Sequence, residues 1–274
     1  MIRIGIAGIP HSAKGRGTEA GIVRLRELGL DAMEVQFGRN VYMTDEAAKA
    51  SAAVAAREDV SLSVHAPYYV NLTSKSEQTR TKSKEWIMRS ARVASLLGAS
   101  IVTIHAAREP QPEVVVDSFG EIVRSLKKEH VTVPLGLETM GDLGEFGSLE
   151  DVIEVVRKVP GTGIVLDFAH IYARTDGGLR TREDFEAVLD QAGKVKKGGF
   201  HIHFSGIEHK DCREVRHVPL GATGPDPVLF SEALTDMGRD ATIVCESPLL
   251  EEDALKLREA FRRLDPGCLH SPKH

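Results

Sequence analysis

Cysteine is scarce in this chain: Cys212, Cys245 and Cys268 are the only three in 274 residues, and none sits in a C-x-x-C pair. An odd count at wide spacing excludes a disulfide framework and a thiolate metal site, and fits reduced thiols in a cytoplasmic protein. Positive charge is not in excess either. Lys and Arg number 35 against 40 Asp and Glu, for a formal net charge of −5. Any polyanion would have to be met by a local basic face, because the chain offers no global one. No apolar run approaches the ~20 residues that span a bilayer. The opening MIRIGIAGIP lacks a basic-then-apolar leader pattern, so no membrane or export role is expected. Aromatics make up 5% of residues, and linker-like or low-complexity stretches are missing. What remains is 42% hydrophobic and 27% charged, the composition of a soluble domain long enough to bury its own core.

Strand-like and helix-like segments alternate throughout. The strand candidates are short, apolar and rich in β-branched residues: IRIGIAG, DAMEVQF, VSLSVHA, SIVTIHA, VPLGLET, GIVLDFAH, GFHIHFS and ATIVCES. Amphipathic stretches of helical period lie between them, among them TDEAAKASAAVAARE, KSKEWIMRSARVASLLG and EEDALKLREAFRRL. Ser148 with Asp151, and Thr181 with Asp184, read as helix starts. Such alternation implies parallel strands joined by helical crossovers. Eight units fit a single (β/α)8 TIM barrel, for which ~250 residues is typical. A doubly wound sheet is less well served, since GIPHSAKGRG after the first strand is not a dinucleotide-binding turn. The barrel domain is expected over residues 1–266, with 267–274 as an unstructured tail holding His270 and His274.

Residues two apart on a strand share a face. On that rule Ser63 and His65 face together, as do Thr103 and His105, Gly136 and Glu138, and His201 and His203. The opposite faces are apolar and suit the helices. Six strands then end, on the side where barrel enzymes keep their chemistry, in His65, His105, Glu138, Asp167, His203 and Glu246. His170 follows Asp167 by three residues. Singly, each has an ordinary explanation as a cap, an ion-pair partner or a core histidine. Together, three buried carboxylates would repel one another and be pushed upward in pKa unless a cation lay among them. Histidine and carboxylate without thiolate suit zinc, manganese or iron.

The motifs SVHAPYYVNL, TIHAA, GLETMGDLGEFGS, VLDFAHIYA, HIHFSG, RHVPLGATG and CESP resemble the endonuclease IV family of apurinic/apyrimidinic endonucleases. The likeness runs from Gly5 to about Glu246. It implies a TIM barrel with up to three zinc ions that cleaves double-stranded DNA 5′ to abasic sites. By motif position, His65 and His105 would hold one ion and Glu138 would bridge to a second, completed by Asp167, His203 and Glu246. His170 and His217 would serve a third. Zn2+ is the expected cofactor, in two or three copies, with Mn2+ or Fe2+ as alternatives. Glu138 or Glu246 would orient the nucleophile. Tyr68 matches the family's DNA-inserting tyrosine, and Arg39, Arg108, Arg174 and Arg213 follow strands at the expected rim as phosphate contacts. His201 is expected one layer deeper, as a partner to the metal-binding histidines. The expected state is a monomer.

One position departs from the family. Its third-ion motif is Asp-x-His, and this chain reads Glu214-Val215-Arg216-His217, with Val215 where the aspartate should be. In a regular strand Glu214 would point the wrong way, which leaves the third site a ligand short unless a local bulge or Asp211 compensates. Two other functions therefore stay open on the sequence. One is a metal-dependent sugar isomerase or epimerase of the xylose-isomerase-like type, which shares the fold. The other is a DNA-damage-binding protein with impaired catalysis.

Overall fold

A computed structural model describes residues 1–195 and 198–271. Eight parallel strands close into a barrel. Seven of them come first in the chain: β1 (Ile2–Ala7), β2 (Ala32–Gln36), β3 (Ser61–His65), β4 (Val102–Ile104), β5 (Leu135–Glu138), β6 (Thr162–Asp167) and β7 (Phe200–Phe204). A two-stranded hairpin follows, β8 (Gly206–Lys210) and β9 (Arg213–Val218), and then the eighth barrel strand, β10 (Ala241–Cys245). Each barrel strand pairs with its neighbour in chain order, and β10 closes onto β1 through Ile4↔Ile243 and Ile6↔Cys245. Helices lie between successive strands: α1 (Thr18–Glu27), α2 (Asp45–Glu58), α3 (Glu77–Leu97), α4 (Pro112–Lys128), α5 (Leu149–Lys158), α6 (Phe168–Arg174), α7 (Arg182–Gly193), α8 (Pro227–Asp236) and α9 (Glu251–Leu264). The single (β/α)8 barrel expected from the alternation is the fold found.

The sequence explains this layering. Outward positions of the strands, such as Ile2, Ile4 and Ile6 of β1 or Phe200, Ile202 and Phe204 of β7, are buried against the helices. Phe168, Phe185, Phe204, Phe230 and Phe261 are fully buried and close part of that ring, with the Phe204 and Phe230 rings stacked at 4.5 Å. Ser148 caps α5 through the Asp151 amide at 3.1 Å, and Asp151 accepts from the Ser148 amide at 3.1 Å. Asp184 accepts from the Thr181 amide at 2.8 Å, so both helix starts form as the sequence indicates.

Two features depart from the expectation. The antiparallel hairpin of β8 and β9 rises from the barrel directly after β7 and packs on α6. The C-terminal segment is also not free as far as His270. Leu269 bridges Ile2, the His270 amide donates to the Ile2 carbonyl at 2.8 Å, and His270 Nε2 lies 2.8 Å from Asp59 Oδ2. This segment packs along the N-terminal edge of the barrel beside β1, with His270 buried. His274 lies outside the described residues.

Candidate metal centre

Glu138, at the end of β5, is the hub of the C-terminal face. Its Oε1 lies 2.9 Å from His203 Nδ1, and its Oε2 lies 2.8 Å from His105 Nε2 and 3.3 Å from His65 Nε2. Period-two alternation on β3, β5 and β7 turns His65, Glu138 and His203 inward, while His105 stands just beyond β4 and Asp167 ends β6. Asp167 Oδ2 is 3.9 Å from His203 Nδ1, and Glu246 Oε1 is 3.5 Å from the same nitrogen. The structure thus brings together His65, His105, Glu138, Asp167, His203 and Glu246.

Where the histidine protons sit decides what this cluster is. His65 Nδ1 lies 2.8 Å from the Ala66 carbonyl, and His170 Nδ1 lies 2.9 Å from the Thr139 carbonyl. A carbonyl only accepts, so both rings carry a proton on Nδ1 and turn Nε2 to the site. His203 has a carboxylate at each nitrogen, Glu34 at Nε2 and Glu138 at Nδ1. The site-facing ring nitrogens therefore point at carboxylate oxygens, with a ring proton or a cation to join them. Glu138 Oε2 and Asp167 Oδ2 are buried and have no hydrogen-bond partner. For Glu138 Oε2 this holds although two ring nitrogens stand within 3.3 Å, because neither approaches with hydrogen-bond geometry. Buried polar atoms in native proteins are rarely left so. A cation between the rings and the carboxylates satisfies both, and the residues present fit one.

With no cation among them, the carboxylates draw protons onto the imidazoles. Burial would lower the His65 imidazole, but the adjacent Glu138 carboxylate, with Glu34 and Glu246 behind, lifts it to about 9. Burial raises Asp167, and its neighbours Glu138 and Glu246 add to that. Glu138 and Glu246 go the other way. Burial alone would raise them, yet the surrounding imidazoles pull Glu138 well below the usual carboxylate range and Glu246 to about 2. The upward shift expected of all three carboxylates therefore appears only at Asp167, because the histidines outweigh repulsion at the other two.

Glu34 on β2 escaped the sequence reading. It is fully buried beneath the centre and accepts from Ser63 Oγ and Thr103 Oγ1, each at 2.9 Å. His201 Nε2 lies 3.2 Å from its Oε2, which places His201 one layer down as expected. Glu34 is in register with Ser63, so the inner-face rule applied to β2 would have found it.

The rim residues divide. Tyr68 is 41% exposed, its hydroxyl donates to Tyr69 Oη at 3.1 Å, and Arg39 Nε donates to Tyr68 Oη at 3.2 Å. Arg39, Arg108 and Arg213 are exposed, Arg213 with its Nε 3.6 Å from Asp142 Oδ2. Arg174 is different. Its guanidinium is spent on the Met140, Asp142 and Glu145 carbonyls of the loop after β5, so it holds that loop and does not reach into solvent. It is placed there because α6 begins directly after β6 and carries Arg174 under the loop.

These features define a (β/α)8 barrel with a histidine–carboxylate centre at its C-terminal mouth. The chain belongs to the xylose isomerase-like TIM barrel family, whose pattern it matches over residues 22–266. It is 31% identical over 273 residues to the uncharacterized protein MJ0133 of Methanocaldococcus jannaschii, covering 96% of this chain and 98% of that one. It is 29% identical over 182 residues to the probable endonuclease 4 of Methanosphaera stadtmanae, covering 60% and 63%. Among solved structures, a D-tagatose 3-epimerase-like protein superposes with a TM-score of 0.74 at 22% identity over 95% and 96% of the two chains. Endonuclease IV from Thermus thermophilus superposes with a TM-score of 0.73 at 22% identity over 94% and 98%. The fold suits both chemistries equally, and the choice between them rests on the site.

Proposed function

We propose that the protein is a metal-dependent endonuclease that hydrolyses the DNA phosphodiester 5′ to abasic sites. The observation that carries this reading is the division of Glu138: one carboxylate oxygen faces His203, and the other faces His65 and His105. A carboxylate between two separate nitrogen sets is the geometry of a bridging ligand for two cations. Two adjacent zinc, manganese or iron ions supply an activated water and neutralise charge on a phosphate and its leaving oxygen. The resemblance to relatives called probable endonuclease 4 points to the same substrate class.

The protein's own groups would divide the work. His65 and His105 would hold one ion, His203 and Asp167 the other, with Glu138 shared. Glu246 is the most accessible carboxylate of the centre, with its side chain 15% exposed. Drawn down to about 2 by the surrounding imidazoles, it is fully ionised at neutral pH and would orient an attacking water by its charge. At the rim, Tyr68 and Tyr69 form a paired aromatic step whose ring centroids are 4.3 Å apart, with Arg39 against it. Such a step can fill the gap left where a base is missing, while Arg39 and Arg108 meet phosphates.

The test is incision of a duplex carrying one abasic site against an undamaged control. Cleavage 5′ to the lesion, lost with a chelator and lowered more than ~100-fold by Glu138→Ala, is the expected result. A metal-loaded protein that leaves the lesion intact would end this reading, and turnover of a ketose would replace it with the epimerase one.

A further inference from the structure

The position where the family's third-ion aspartate is replaced by Val215 is repaired by backbone geometry. Pairing in the hairpin runs Gly206↔Val218, Ile207↔His217 and Glu208↔Arg216, then skips to His209↔Glu214 and Lys210↔Arg213. Val215 is the extra residue of a β-bulge, and it is 59% exposed. Residues 214 and 217 are three apart and would face opposite sides of a regular strand. The bulge inserts one residue and returns them to the same side. Glu214 Oε2 consequently lies 3.0 Å from His170 Nε2, and Glu214 Oε1 lies 3.5 Å from His217 Nε2. Gly141 provides the room: a Cβ there would come within 3.1 Å of the Glu214 Cβ.

The protons again sit on the far side of both rings. His170 Nδ1 donates to the Thr139 carbonyl. His217 Nδ1 lies 2.6 Å from Ser205 Oγ, whose own proton goes to the Gly206 carbonyl at 2.9 Å, so the hydroxyl is left to accept from His217. Both Nε2 atoms therefore turn lone pairs toward a carboxylate that has no proton to offer. Asp167 Oδ2, buried and without a hydrogen-bond partner, stands 3.5 Å from His170 Nδ1 at the edge of the same group.

We propose that His170, His217 and Glu214 hold a divalent cation of their own, with Glu214 delivered by the Val215 bulge in place of the missing aspartate. Two imidazoles and one carboxylate suit zinc, with open positions left for water or a phosphate oxygen. Because β9 supplies two of the ligands and α6 the third, the ion would also fasten the hairpin to the barrel. This inference rests on the metal-centre reading of Glu138 and its neighbours.

The experiment is zinc content per chain, by elemental analysis after zinc loading and dialysis, for the wild type, Glu214→Gln and Glu138→Gln, each checked for native circular dichroism. The expected result is one ion fewer in Glu214→Gln than in the wild type, with one ion still retained by Glu138→Gln. Equal zinc in Glu214→Gln and the wild type overturns the proposal while leaving the Glu138 centre standing; the carboxylate would then simply pair with protonated histidines. A wild type that binds no zinc overturns both. Should Glu214→Gln fail to fold, His217→Gln puts the same question from the other ligand of β9, with the same two outcomes.

Discussion

His203 stands between two carboxylates: its Nε2 lies 3.2 Å from Glu34 Oε1, and its Nδ1 lies 2.9 Å from Glu138 Oε1. The buried Glu34 thus fixes the ring's orientation and turns Nδ1 toward the centre. A carboxylate behind a metal-binding imidazole orients the ring and raises its basicity.

Glu34→Gln keeps the shape but removes the charge. It is expected to weaken zinc affinity by about 10–100-fold while leaving the fold intact. Competitive chelator titration measures the affinity. An unchanged value would reduce Glu34 to a structural group. Glu34→Ala is expected to be harsher, because Ser63, Thr103, His201 and His203 all lose a buried acceptor. A loss of about 3–5 kcal/mol in urea unfolding is the scale for such a broken buried network.

Glu34 also shows how far the sequence could be read. The period-two rule put His65, Glu138 and His203 on inner faces because β3, β5 and β7 are regular strands, and regular strands obey the rule. Glu34 obeys it too. It lies between Met33 and Val35 with no second acid near it in the chain, and its importance emerges only when β2 is set in register with β3. For Glu214 the sequence stays open between a bulge and Asp211, for a different reason. A bulge depends on how two strands pair, so the phase read along β9 alone points Glu214 away from the ligands it meets. Arg174 and His270 were misplaced because their partners, the β5 loop and Asp59, are distant in the chain.

Arg108 and Arg174 should separate cleanly under mutation. Arg108 is exposed beyond β4 and, as a phosphate contact, should carry about one unit of the salt dependence of DNA binding. Arg108→Ala is expected to lower the slope of log K against log salt by about that amount with unchanged thermal stability. Arg174→Ala should do the opposite: the slope stays, and stability falls by about 1–3 kcal/mol as three loop carbonyls lose their donor. Fluorescence anisotropy across a salt series, with a melting curve for each variant, decides both. A reduced slope in Arg174→Ala would show that the loop releases it on binding DNA.

Tyr68→Ala tests the aromatic step. If the ring fills the space of a missing base, its loss should cost about 1–3 kcal/mol of binding to an abasic duplex and little to an undamaged one. Anisotropy on paired duplexes reads this selectivity directly. Equal losses on both would make Tyr68 a general backbone contact, and no loss on either would leave it a packed loop residue.

The C-terminal segment gives a pH prediction at the opposite end of the barrel. Asp59 accepts from Arg3 Nη2 at 2.9 Å and faces His270 Nε2 at 2.8 Å. Burial alone would raise its carboxyl, but these two partners hold it below its ordinary 3.8. A carboxyl depressed by folding contributes stability that is complete above the unfolded value and is lost as pH falls through the folded one. The contribution should therefore persist at neutral pH and fade only as the solution drops below 3.8. With the Asp59 side chain 35% exposed, solvent screening limits the effect to about 1 kcal/mol. Asp59→Asn should accordingly melt below the wild type at neutral pH, with the two curves merging in acid. A gap that stays constant down to about pH 2 would mean that Asp59 acts through packing alone. Truncation after Pro266, which removes Leu269 and His270 from β1 and Asp59, should reproduce the neutral-pH loss and add to it the exposure of Ile2.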